Sequence, residues 1–217
     1  MNYIMIDTET ANGLDCPLTY DIAWTVFNDD GETLAERAFV VTDVFAHERE
    51  LMKTAYYAEK IPTYYDDLTV GLRKLAYLKD IRKALADDYK NFNAVAIIAH
   101  NARFDYNSCT TTQRYTTKSK YRYFYPYGAE IWDTLKMAQK VFYHDEDYRK
   151  FCFENGFVTK HKTPRPQLKA EVLYRYITNN TAFEETHKGL EDTSIEKEIF
   201  LECIRRNPTV ERKLWKD

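Results

Sequence analysis

Two hydrophobic rhythms divide the chain. The run Tyr3-Ile4-Met5-Ile6, and then Tyr20 to Phe27 with its β-branched and aromatic residues, read as strands. Asn28-Asp29-Asp30-Gly31 is a turn signal, and Glu32 to Val41 returns as a third strand, so the chain opens as an antiparallel meander. From about Phe45 to Asp88 the rhythm changes, with Leu68, Leu72, Leu75, Leu78, Ile81 and Leu85 three or four residues apart, which predicts helix. Ala94 to Ala99 is continuously apolar, the pattern of a strand buried on both faces. A short strand is expected around Glu130 to Trp132. The remainder reads as helical, ending in a long helix from about Leu190 to Arg206. Residues 156–166 form the clearest loop, basic and proline-containing.

The resulting order, β-β-β-α-β-α-β-α, predicts an α/β protein with a mixed central sheet of about five strands, meander first, flanked by helices. With no internal repeat or linker, the 217 residues are expected to form a single domain, 1–217. No apolar run approaches the roughly 20 residues of a membrane span, and the polar Met-Asn start is unlike a signal peptide. Cys16, Cys109, Cys152 and Cys203 are scattered without a C-x-x-C, which predicts reduced, mostly packing thiols in a cytoplasmic protein. A net charge of −3 argues against a generic polyanion binder. The 18 tyrosines serve base stacking or core packing equally well, so only local clusters carry weight.

The chemistry begins at Asp7-Thr8-Glu9-Thr10, expected at the end of the first strand. Residues two apart on a strand share a face, so the two carboxylates crowd each other and each raises the other's pKa unless a cation intervenes. A hard divalent ion such as Mg²⁺ or Mn²⁺ resolves that repulsion; a polar turn is the plainer reading. The buried strand leads into His100-Asn101-Ala-Arg-Phe104-Asp105. Strand ends converge on one crevice, so Asp105 reaches Asp7 and Glu9 if the strands are neighbours. Phe104 is expected to anchor this turn in the core while Asp105 faces outward; a helix cap is the alternative for Asp105. His187 and Asp192, five apart, lie about 140° apart round a helix. Gly189 therefore suggests His187 on a loop and Asp192 on the helix proper.

In this order, Asp7-x-Glu9, Asn101-x-x-Phe104-Asp105 and His187-x4-Asp192 closely resemble the motifs of the DEDD superfamily of 3′–5′ exonucleases. The histidine marks its DEDDh branch, which includes the proofreading subunit of bacterial DNA polymerase III and oligoribonuclease. Ile131-Trp-Asp-Thr-Leu135 and Leu168-x4-Leu173-Tyr174 extend the similarity over nearly the whole chain. Departures are the long segment 43–90, and Lys188 and Glu191 where the family carries small or apolar residues.

The resemblance implies an RNase H-like fold and 3′–5′ hydrolysis of single-stranded DNA, releasing nucleoside 5′-monophosphates. It implies two divalent ions, Mg²⁺ or Mn²⁺, on Asp7, Glu9, Asp105 and Asp192, with Asp7 bridging and Glu9 holding the ion that activates water. His187 becomes the general base, and Thr8, Thr10, Asn101 and Phe104 contact the substrate. The expected partners are single-stranded 3′ ends, DNA favoured and RNA an alternative, with a polymerase or other replication or repair protein. An exoribonuclease, a catalytically silent nucleic-acid-binding module and an RNase H-like endonuclease are the competing readings. Asp133 reads as a support for the site or a helix cap. Arg114 to Tyr127, which interleaves Lys118, Lys120 and Arg122 with Tyr115, Tyr121, Tyr123, Phe124, Tyr125 and Tyr127, suits phosphate contact and base stacking or a core strand. Lys160, His161, Lys162 and Arg165 are a second basic group, for phosphate or simply for solvent.

Overall fold

A computed structural model describes residues 1–118, 120 and 122–215. β1 (Asn2–Ala11), β2 (Leu18–Asn28) and β3 (Thr33–Val41) form the antiparallel meander. β4 (Lys74–Ala76), β5 (Ala94–Ala99) and β6 (Glu130–Asp133) add parallel pairings, giving a six-stranded mixed sheet in the order β4-β3-β2-β1-β5-β6. The fourth strand corrects two expectations at once: about five strands, and helix throughout Phe45 to Asp88. Three residues are too few to show a period of two, and at a sheet edge Leu75 stays half exposed, so its spacing mimics a helix. Between β3 and β5 come α1 (Thr42–Phe45), α2 (Arg49–Met52), a 3₁₀ turn (Ala58–Lys60), α3 (Ile61–Val70) and α4 (Leu78–Asn91). Gly71, at φ 79°, ends α3 in the left-handed conformation that favours glycine and turns the chain into β4.

After β5 follow α5 (Ala102–Thr116), α6 (Thr134–Val141), α7 (Glu146–Glu154), α8 (Ala170–Thr178) and α9 (Gly189–Arg206). Alternation along β1 sends Ile4 and Ile6 to one face, into a core with Trp24, Ile97, Ile81, Leu85 and Cys109. Tyr3 and Met5 point the other way, packing with Phe27, Ile98, Met137, Leu173 and Ile199. Cys109, Cys152 and Cys203 are buried packing thiols, whereas Cys16 is exposed. Among the described residues no helix is long and apolar enough to cross a membrane.

The tyrosine-rich segment divides. Phe124 and Tyr125 are core, while Tyr115, Tyr123 and Tyr127 are exposed, as are Lys118, Lys120 and Arg122. Tyr121 lies outside the described residues. Tyr106 on α5 stacks on Tyr125 at 5.1 Å and meets Trp215 edge-on at 4.8 Å. These rings line a cavity with Lys120, Tyr123 and Tyr127 that shares no residue with the carboxylate site described next.

Candidate metal and phosphodiester site

β1 does not stop at the carboxylates. It runs on to Ala11, but its pairing with β5 ends at Met5 opposite Ile98. Beyond that point the two parallel strands part, and Asp7 and Glu9 project into the opening on the face that carries α9, two and four residues on from Met5. A bulge between Glu9 and Thr10 gives β2 one extra residue, Tyr20, opposite them. Asp105 enters from the first turn of α5, and Asp192 from the first turn of α9. Asp7, Glu9, His187, Asp192 and Asn101 line one cleft of about 730 Å³.

The Phe104 expectation is reversed. Asp105 is buried, accepting a 2.9 Å hydrogen bond from the Thr8 hydroxyl, while half-buried Phe104 lines a second cavity with Thr8, Thr10, Leu14 and Tyr56. The helix starts earlier than a loop reading allows, so position 105 turns inward and 104 sideways. Asn101 adopts a left-handed conformation, φ 68°, with its backbone N–H donating to Asp133 at 3.1 Å. Asp133 also caps α6 by accepting from Leu135 at 2.9 Å, so one carboxylate both caps and holds the Asn101 turn.

His187 precedes α9 at φ 54°, and its ring lies flat on Tyr57, centroids 4.0 Å apart and planes 9° apart. Tyr57 comes from the long segment after β3, so that insertion closes over the histidine. Gly189 is required by close approach: a Cβ there would sit 3.2 Å from the Ala23 Cβ and 3.3 Å from the Asp7 carbonyl oxygen.

Two features escaped the sequence reading. Glu196 lies four residues beyond Asp192 on α9, hence on the same face, and is buried with its carboxylate accepting the His100 N–H at 3.1 Å. That spacing was the available signal. The other is a buried ionic knot around Arg73, only 2% exposed. Its guanidinium donates to Asp67 at 2.7 Å and Glu191 at 2.8 Å, and pairs with Asp21 at 3.4 Å. Asp21 also accepts the Gly189 N–H at 3.0 Å and the Tyr64 hydroxyl at 2.9 Å, and Lys188 reaches Asp67 at 2.7 Å. Lys188 and Glu191, the unusual residues of the last motif, thus fasten the turn bearing His187 and Asp192 to α3 and β2. Arg73→Met leaves buried Asp21, and with it Glu191, without an ionic partner, with Asp67 held by Lys188 alone, a loss of about 3–5 kcal/mol. At roughly 3 °C per kcal/mol for a chain of this size, the melting temperature should fall by about 10 °C or more. Arg73→Lys, which keeps the charge, should lose less; equal melting of both variants and the parent would contradict the knot.

The electrostatics explain what the cleft demands. Burial first, then Glu196, Asp105, Asp192 and Glu9, raise the Asp7 pKa well above the carboxylate range. Burial, with Asp192 next, pushes Glu9 to about 9; burial with Glu185 pushes Asp192 to about 8. Burial lifts Asp105 to about 7 against the lowering Thr8 hydrogen bond. Burial also lowers His187 below its usual value. One ligand atom each from Glu9, His187 and Asp192 lies within 4.8 Å of the others. Crowded, oxygen-rich and short of compensating charge, this donor set fits hard divalent cations.

The same shifts predict pH-dependent stability. Carboxylates with raised folded-state pKa values take up protons on folding, so their contribution is fully present below about 4 and is lost as pH rises through about 7, 8 and 9. In chelator, the melting temperature should therefore decline across that window, and a divalent salt should restore it most at the alkaline end. A melting temperature that climbs with pH in chelator would contradict this electrostatic picture.

The architecture matches solved nucleases at low identity. The nuclease domain of 3′hExo, a DEDDh family member bound to rAMP, aligns with TM-score 0.61 and 10% identity over 99% of this chain and 97% of that one. A full-length 3′-exonuclease aligns with TM-score 0.59 and 11% identity, covering 99% and 87%. Exonuclease I of E. coli in complex with a dA16 oligonucleotide gives TM-score 0.58 and 13% identity, covering 95% of this chain but 41% of that one. No protein-family model and no curated protein matches the chain by sequence. The chain has the RNase H-like fold of these exonucleases.

Proposed function

We propose that the chain is a 3′–5′ exonuclease of the DEDDh type, carried by a single domain, that removes nucleoside 5′-monophosphates from single-stranded DNA. One observation carries the reading: Asp7 and Glu9 of β1 share a cleft with His187 and Asp192 at the start of α9, while Asp105 of α5 is bonded to Thr8 between the two β1 carboxylates and adds its charge to the field at Asp7. When bound by Asp7, Glu9, Asp105 and Asp192, two divalent ions, Mg²⁺ or Mn²⁺, would stabilise charge on the attacking and leaving oxygens of an in-line displacement. His187 takes the proton of the attacking water; its lowered pKa keeps it neutral and able to accept at neutral pH. The Tyr57 ring fixes the imidazole plane, and Glu185, 3.8 Å from Nδ1, steadies the imidazolium once formed. Water oxygen bonds to phosphorus, the P–O3′ bond breaks, and the proton balance closes when the leaving 3′-oxygen is protonated from solvent.

The second cavity supports attack at a chain terminus. Thr8, Thr10, Phe104, Leu14 and Tyr56 surround a space beside Glu9 that suits a terminal nucleoside, with Phe104 or Tyr56 stacking on its base. RNA is the second reading, favoured by the rAMP in the 3′hExo structure as DNA is by the dA16 in exonuclease I. End-labelled single-stranded DNA, duplex DNA and RNA, digested with Mg²⁺ or Mn²⁺, test polarity and sugar preference together. Stepwise 5′-monophosphates from a 3′ end are expected; no release from any of the three sinks the proposal.

A further inference from the structure

Between α7 and α8 the expected loop is present, and it is braced by an isolated bridge and side-chain hydrogen bonds. Val158 and Pro166 form an antiparallel bridge, Thr159 N–H donates to the Arg165 carbonyl at 2.8 Å, and Gln167 N–H to the Phe157 carbonyl at 3.0 Å. The Arg165 N–H donates to the Thr159 hydroxyl at 3.1 Å, and the Gln167 side chain to the Val158 carbonyl at 2.9 Å. The foot is fastened to the core: His100 meets the Leu168 carbonyl at 2.7 Å, and the buried Tyr148 hydroxyl donates to the Gln167 carbonyl. The result is a braced hairpin, with Pro164 and Pro166 limiting its backbone freedom.

Its inner wall belongs to the carboxylate cleft, which Thr159, Pro166, Gln167, Leu168 and Lys169 help to line. Its outer part is basic and exposed: Lys160, His161, Lys162 and Arg165, with no acidic residue between Asn155 and Ala170. None of Lys160, Lys162 and Arg165 has a carboxylate partner among the described residues. Other cations close to the catalytic turn are engaged, as Arg73 is by Asp67 and Glu191 and Lys188 by Asp67. The nucleoside cavity adjoins the cleft, sharing Glu9, Tyr57 and Asn101 with it but none of the hairpin residues. A path therefore runs from that cavity, across the carboxylates, to the hairpin.

Resting on the nuclease reading above, we propose that residues 157–167 are a phosphate clamp for the strand on the 5′ side of the scissile bond, with Lys160, Lys162 and Arg165 on successive phosphates. The clamp answers an electrostatic problem. The cleft floor is acidic, so a polyanion approaching it gains attraction chiefly from cations on the rim. The cavity assigned to the terminal nucleoside includes no hairpin residue, so the clamp acts on the longer strand behind it.

The test combines Lys160→Gln, Lys162→Gln and Arg165→Gln in the full chain, with the melting curve checked against the parent. Fluorescein-labelled oligothymidylate of about ten nucleotides, titrated in calcium at several salt concentrations, reads binding by anisotropy. Each lost phosphate contact removes roughly 0.7 from the salt slope, so the triple variant should lose about 2, with Kd raised roughly tenfold at low salt. In turnover, the kcat/KM advantage of the long oligonucleotide over a dinucleotide should collapse. An unaltered slope, or a parent that does not bind the oligonucleotide, overturns the clamp. A parent that binds through the hairpin but cleaves nothing overturns the nuclease reading alone.

Discussion

Asp7→Asn should abolish release of 5′-monophosphates while raising the melting temperature of the protein in chelator. Both effects have one cause. Asp7 sits among Glu9, Asp105, Asp192 and Glu196, and burial plus those neighbours hold its pKa well above normal. Removing its charge relieves repulsion that the folded, metal-free chain must otherwise bear. The same change takes away the carboxylate assigned to both divalent ions, and with it the charge stabilisation of an in-line displacement. A rate loss on the order of 10³ or more is expected in single-turnover digestion of a labelled oligonucleotide. Asp192→Asn should behave alike. Full activity in clean preparations of both variants would sink the metal assignment, and a lower melting temperature in chelator would show that Asp7 is not under repulsion.

His187→Gln should slow the chemical step by about 10² to 10⁴, the usual worth of a positioned general base. Divalent-ion affinity measured by calorimetry should barely change, and the acid limb of the rate profile should disappear. That limb is expected below the ordinary histidine value, because burial lowers the His187 pKa and the base becomes competent once deprotonated. The geometry makes the control decisive. A ring nitrogen of His187 lies within 4.8 Å of ligand atoms of Glu9 and Asp192, close enough for the histidine to serve as a ligand instead. If ion affinity falls in step with rate, His187 is a ligand and another group accepts the proton.

Much of this site was legible in the chain. Asp7 and Glu9 follow an apolar run whose period of two puts them on one face, and β5 was readable because a six-residue apolar stretch has few homes other than a strand buried on both sides. The break before α9 followed from five-residue spacing and Gly189, and His187 indeed stands outside the helix at φ 54°. Phe104 and Asp105 were misassigned because their facing depends on where α5 begins, and one residue of helix phase is 100°. β4 was invisible because its partner β3 lies more than thirty positions away, beyond any local pattern.

The sequence by itself determined which groups the protein owns and which face of its own element each occupies, since periodicity and capping act over a few residues. The carboxylate motif, the buried strand and the final histidine and aspartate were therefore readable one at a time. Only the tertiary structure decided the distances between them. It laid Tyr57 on His187, tied Lys188 and Glu191 to Arg73 and Asp21, and brought Glu196 against His100. It also stood the basic hairpin at the mouth of the same cleft. Those contacts join residues far apart along the chain, and they exist because sheet order and helix packing bury two cores together, which no local signal records.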